Sequence, residues 1–275
     1  MPQTTTPHPE VLTTLTVLER YYDAAPRPLA TTEEVGPFTL FVRRDPAGWP
    51  YYARPRLGLA EPVGAADVRR LLDRERELGV PRALEWVQQT TPTLLAAARD
   101  AGMSVEECPL LVLPGAGTPP GWVDTRPVTT MTPPGLELRV LDADDPDLGR
   151  VAAAVHAGFG GTDEVAAPDA GNQPEQLRRG LLRVVGAFLD GQVVGGGSHG
   201  PRRDTTELAG IAVLPRARRL GIGGAVTAAL VADAQAHGIR QVFLSAQDDA
   251  VARVYERVGF RRVGTACVAE LPPTG

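Results

Sequence analysis

The chain contains no lysine: all 28 of its basic residues are arginine. That excludes any mechanism built on a catalytic or phosphate-binding lysine, a Walker A loop and a Schiff base among them. Cysteine is nearly as scarce. Cys108 and Cys267 stand far apart and form no CxxC or zinc-ligand pattern, so they imply neither a disulfide framework nor a metal site and read as reduced thiols. No apolar run approaches membrane-spanning length, and the opening MPQTTTPHPE lacks the basic region and apolar core of a signal peptide. An excess of positive charge is also missing. The net charge is −5 and the pI about 5.5, which argues against a general nucleic-acid binder. The expectation is a soluble cytoplasmic protein that binds neither nucleic acid nor membrane; an oligomer is neither indicated nor excluded.

What is present is enough apolar residue, 43% of 275, to bury a core in one large domain or two ordinary ones. Residues 114–135, PGAGTPPGWVDTRPVTTMTPPG, are crowded with proline, glycine and threonine, cannot sustain a helix or central strand, and read as a linker. They divide the chain into a first domain, 1–113, and a second, 136–275.

In the second half the apolar spacing alternates between periods. Strand 136–142 precedes a helix over 147–159, with Val151, Val155 and Phe159 on one stripe, and PEQLRRGLLRV suggests a second helix. Residues 183–200 read as a hairpin turned by Asp190-Gly191, and 201–206 as a second turn into the strand 207–215. A glycine-rich loop then opens a helix that Gly238 can end; strand 241–246, a short helix stopped at Gly259 and a closing strand follow. The order β-α-α-β-β-β-α-β-α-β is an α/β domain around a mixed sheet. Residues 77–113 repeat the pattern of 235–271, which means two copies of one fold. The first copy has Ala98 where the second has Tyr255, and LGLAEPVGA (57–65) where the second has its glycine loop, so it reads as degenerate.

That loop is the stretch with chemistry in it. Arg218-Arg219-Leu220-Gly221-Ile222-Gly223-Gly224 follows a strand and opens a helix, where unpaired N–H groups and the helix dipole favour an anion. Read alone, it is either a phosphate site or an arginine-rich helix start. A dinucleotide fingerprint beginning at Gly221 fails at Val226. With Val213-Leu214-Pro215 before it, Arg218-x-x-Gly221-x-Gly223 resembles the signature of the GNAT superfamily of acetyl-CoA-dependent N-acetyltransferases. Tyr255, four residues before Gly259-Phe260, resembles the family's second signature. The whole resembles tandem members with one degenerate half, such as mycothiol synthase.

The resemblance implies acetyl-CoA as cosubstrate and direct transfer to a primary amine of a small molecule or peptide. Backbone N–H groups of Arg219, Leu220, Gly221, Ile222, Gly223, Gly224 and Ala225 would cradle the pyrophosphate, with Arg218 adding charge-assisted bonds. Pantetheine would lie along Ile211, Ala212 and Val213, beside a bulge marked by Gly210, with the N–H of Val213 at the thioester oxygen. Tyr255 would be the general acid for the departing thiolate; without the loop it would read as a core tyrosine. Asp248 stands where the family often has an asparagine contacting pantetheine, and a carboxylate cannot donate that bond. Glu207 is the candidate base, and equally an exposed carboxylate at a strand end. Asp163, Glu164 and Asp169 could attract a cationic amine, or are a solvated loop.

Two other readings stand beside this one. Gly196-x-Ser198-x-Gly200 matches the nucleophile elbow of a serine hydrolase, with His237 downstream, but the elbow needs a strand-to-helix turn at the serine. A non-catalytic acyl-CoA-binding or regulatory module would keep the loop and lose turnover.

Overall fold

A computed structural model describes residues 9–45, 50–115 and 132–271. Most of the expected linker, 116–131, lies outside the described residues. The chain forms two compact units: one of 1–110, 245–247 and 262–275, the other of 111–244 and 248–261.

The first unit opens with helix α1 (Pro9–Ala24) and a small antiparallel sheet of β1 (Ala30–Val35), β2 (Phe38–Arg43) and β3 (Arg54–Pro55). Helix α2 (Ala65–Leu78), β4 (Ala83–Val87), α3 (Leu94–Asp100) and β5 (Ser104–Leu113) follow. Val68, Leu71 and Leu72 form one buried stripe of α2, which stops at Gly79 in the left-handed conformation. At its other end Gly64 is the N-cap, and the Asp67 carboxylate accepts the Gly64 N–H at 3.1 Å. An internal carboxylate thus answers one amide at the helix start that corresponds to the glycine loop of the second copy.

The second unit runs β6 (Leu136–Leu141), α4 (Leu148–Phe159), α5 (Gln173–Arg178), β7 (Arg183–Leu189), β8 (Gln192–Arg202), β9 (Thr205–Val213), α6 (Ile222–Ala236), β10 (Gln241–Ser245) and α7 (Asp249–Val258). This is the expected order. Its strands lie in the sequence β10-β9-β8-β7-β6, antiparallel except for the parallel pair β9–β10. Val151, Ala154 and Ala157 of α4 share a core with Leu141, Val184, Phe188 and Val193. The opposite face is covered by α6, whose Val226 and Leu230 reach the β8 backbone at Gly197.

Three details differ from the sequence reading. Helix α5 ends at Arg178, because Gly180 turns left-handed (φ +65°) and the chain enters β7 three residues later. The turn expected over 201–206 is only Arg203-Asp204, since Arg202 pairs with Thr205 and both strands continue to it. The closing strand, β11 (Arg261–Glu270), pairs antiparallel with β4, and its Cys267 and Ala269 lie in the core of the first unit with Trp86 and Leu84.

Candidate functional site

The site begins where β9 and β10 part. Their parallel ladder covers only Thr205, Thr206 and Glu207, opposite Gln241, Val242 and Phe243. From Leu208 to Val213 β9 keeps its partner β8 and has none on β10. A bulge sits in this stretch: Ser198 faces Ala209 and Gly196 faces Ala212, so three steps on β9 oppose two on β8. Gly210 absorbs the extra residue at φ +63°, a conformation other residues adopt at a cost.

Backbone direction beyond the bulge follows from one bond. The Leu214 N–H donates to the Val194 carbonyl at 2.9 Å, toward β8. Alternate residues of a strand address opposite edges, so the N–H and C=O of Val213 and Ile211 address the open edge. The wall beside them is α4, whose Gly158 lies so close to Ala212 and Val213 that a Cβ there would stand 3.1–3.3 Å from them.

Past Val213 a 3-10 turn (Pro215–Ala217) leads into the loop. Arg219 (φ +62°) and Gly221 (φ +80°) are both left-handed, and Gly221 is the N-cap of α6. The first helical bond runs from the Ala225 N–H to the Gly221 carbonyl at 3.0 Å, so the N–H groups of Ile222, Gly223 and Gly224 precede the helical ladder. A Cβ on Gly223 would meet nothing within 4 Å, so the space before this helix end is open. Free amides, the positive end of the helix dipole and open space fit an anion such as a pyrophosphate.

The arginines of the loop have different partners. Arg218 donates through Nε to the Val213 carbonyl at 3.0 Å and through Nη2 to the Gly158 carbonyl at 2.5 Å. Its guanidinium binds backbone. Arg216 is tied to Asp163, by its N–H at 3.1 Å and its Nη1 at 3.3 Å, which fastens the 160–172 segment to the loop. Arg219 is exposed, and among the described residues its guanidinium has no partner.

Tyr255 lies on α7, which packs on α6, and is 8% exposed with its ring edge-on to Phe260. Its hydroxyl has no hydrogen-bond partner among the described residues, and burial pushes its pKa up to about 12. Asp248 is the N-cap of α7: Oδ1 accepts the Val251 N–H at 2.8 Å. That bond gives the carboxylate a local purpose apart from any pantetheine contact. Glu207 is half-buried at the last rung of the β9–β10 ladder. Asp169 caps the Gly171 N–H at 2.8 Å, and Glu164 is exposed.

The serine-hydrolase arrangement does not form. Ser198 stands in the middle of β8 with strand on both sides, and no helix follows it. His199, its neighbour, points to the other face of the sheet. There it is 1% exposed, with Nδ1 3.0 Å from Thr206 Oγ1 and Nε2 2.9 Å from Asp233 Oδ2. Arg183 holds the same Asp233 through two bonds of 3.0 and 2.8 Å. Sequence reasoning missed this buried network, because its members belong to four different elements.

Residues 155–260 match the model of the acetyltransferase (GNAT) family. No curated protein matches the sequence. Among solved structures the chain is similar to a GCN5-related N-acetyltransferase from Kribbella flavida, at 21% identity and a TM-score of 0.71, over 95% of this chain and 96% of that one. It is also similar to a tandem GNAT protein from the clavulanic acid biosynthesis pathway, at 17% identity and a TM-score of 0.53, over 92% and 88% of the two chains. A GCN5-related N-acetyltransferase-like protein from Streptococcus suis shares 12% identity and a TM-score of 0.56, over 94% and 99%.

Proposed function

From a chain whose residues 155–260 match the model of the GNAT acetyltransferase family, we propose an acetyl-CoA-dependent N-acetyltransferase that acts directly on a primary amine. The observation that carries this reading is the open edge of β9, which leads through a short turn and loop to the amides that precede the helical ladder of α6. An extended, anion-tipped molecule fits such an edge as an added strand would, with its phosphates at the helix end.

Acetyl-CoA supplies the acyl group as a thioester. Along the edge, the N–H of Val213 donates to the acyl oxygen as charge builds there, while Ile211 and Ala212 line the same stretch. Residues Arg219–Ala225 hold the phosphates through backbone amides. As the new C–N bond forms and the C–S bond breaks, Tyr255 gives its proton to the sulfur, and Glu207 takes the proton of the amine, directly or through water. Burial suits the first role in one respect, since it keeps the phenol protonated across the physiological range. It also makes that proton harder to give up. The hydroxyl therefore acts once the thiolate's developing charge stands beside it.

The acceptor is a small molecule or peptide carrying a primary amine, approaching from the α4 side. Thiol release from acetyl-CoA across a panel of primary amines tests the reading. Release that depends on the amine supports it. Binding of CoA with no release on any acceptor would favour the regulatory module instead.

A further inference from the structure

Ser198 matches a nucleophile-elbow pattern in sequence but stands inside strand β8. The fold gives it a position opposite the bulge. The three glycines before it let the strands close up: a Cβ on Gly196 would stand 2.7 Å from Val151 Cγ1 of α4, and one on Gly197 2.9 Å from Ile211 Cγ1 on the α6 side. By alternation Ser198 shares the face of Gly196, the α4 face. Its Oγ donates to the Ala209 carbonyl at 3.1 Å. A Cβ on Gly210 would stand 3.5 Å from that same Oγ, so the hydroxyl sits against the bulged residue itself.

A bulge interrupts the ladder and leaves backbone groups without their regular partners. Here a side-chain hydroxyl binds a carbonyl at the bulge. Immediately after it come Ile211 and Val213, whose N–H groups address the open edge. We propose that Ser198 is a positioning residue: by holding the Ala209 carbonyl it fixes the register of the bulge, and through it the direction of the Ile211 and Val213 amides. The inference rests on the acetyltransferase reading for its effect on rate, and on geometry alone for its effect on the backbone. A displacement of about 1 Å in an oriented group can cost on the order of a hundredfold in rate. A single peg beside the bulge therefore has leverage well beyond one hydrogen bond.

The test compares the full-length chain with Ser198→Ala and Ser198→Thr, the second keeping the hydroxyl. Amide hydrogen exchange over 209–213 is measured without substrate, and kcat and KM with acetyl-CoA and an amine that the wild type accepts. In Ser198→Ala we expect exchange at Ile211 and Val213 to rise about tenfold and kcat to fall about tenfold, with KM for acetyl-CoA within about twofold. Ser198→Thr should restore both. Unchanged exchange in Ser198→Ala overturns the proposal, as does loosened exchange with kcat intact. Stoichiometric labelling of Ser198 by a fluorophosphonate would overturn it too, since that makes the serine a nucleophile. A wild type that transfers acetyl to no amine sinks the acetyltransferase reading, while the exchange comparison still decides the role of Ser198.

Discussion

The guanidinium of Arg218 reaches across to the carbonyl of Gly158, 2.5 Å away at the end of α4, while its Nε holds the Val213 carbonyl. One side chain thus ties the helix bordering the cleft to the last residue of the open edge. A cation at a helix C-terminus is favourable there, because the last carbonyls have no intrahelical donor. On the proposed reading the arginine left to reach a phosphate is Arg219, which is exposed and without a partner among the described residues. Arg219→Ala should weaken acetyl-CoA binding about three- to tenfold, with a shallower salt dependence. Arg218→Ala should leave affinity closer to wild type and lower turnover more. Calorimetric titration of acetyl-CoA at several salt concentrations, beside steady-state rates, separates the two. The reverse ranking would return Arg218 to the phosphate.

Tyr255 and Gly223 should fail in different ways. Tyr255→Phe keeps the ring packed against Phe260 and removes only the hydroxyl, so on the proposed reading kcat should fall about a hundredfold with acetyl-CoA affinity nearly unchanged. Gly223→Glu places a carboxylate in the open space before α6 and should abolish binding. Because burial holds the Tyr255 phenol protonated until about pH 12, its loss of activity on the alkaline side should begin later than a free tyrosine would allow. A limb in kcat near pH 10 that vanishes in Tyr255→Phe would contradict the burial seen here.

Most of the second unit was legible because its signals are local. Asp190 and Gly191 take φ +49° and +76°, the two left-handed residues that a tight hairpin turn requires, and the dipeptide announces them. Gly210 marks a bulge for the same steric reason. What escaped was non-local. The apolar pattern of 261–270 says strand but carries no address, and only the fold pairs it with β4. Within VLPRARRLG, composition cannot say which arginine finds a carbonyl: that Arg218 reaches those of Val213 and Gly158 appears only in the fold. The Arg183–Asp233 pair spans 50 positions and contains no recognisable motif.

That pair supports a prediction about acid stability. Burial lowers the pKa of His199, against the pull of Asp233, so the imidazole is neutral where a free histidine would begin to protonate. Burial pushes Asp233 up, yet Arg183 and His199 together hold it below the ordinary carboxylate range. Both groups bind fewer protons folded than unfolded. Stability should therefore fall as pH drops below about 6.5, and further as it passes below about 4. Asp233→Asn leaves Arg183 and His199 without their anion and should cost about 3 kcal/mol, read as the urea midpoint at pH 7. A variant as stable as wild type would make the network incidental.

Glu75 predicts the opposite slope for the first unit. It faces inward from α2 beside Leu71 and Leu72, is 0% exposed, and among the described residues its carboxyl oxygens have no hydrogen bond of good geometry, the Ala83 backbone offsetting the burial only in part. Burial pushes its pKa from 4.5 up to about 8, so the folded chain keeps a proton that the unfolded chain has released. Stability from this group is complete below about pH 4.5 and is lost as pH rises through 8. Glu75→Leu removes the titrating group and keeps the packing volume near, so it should stabilise the chain at pH 8 by about 2–4 kcal/mol. At pH 4.5 the gain should shrink toward zero. Thermal melts of both proteins across this window check it, and a gain independent of pH would mean that packing, not the buried proton, is what the substitution changed.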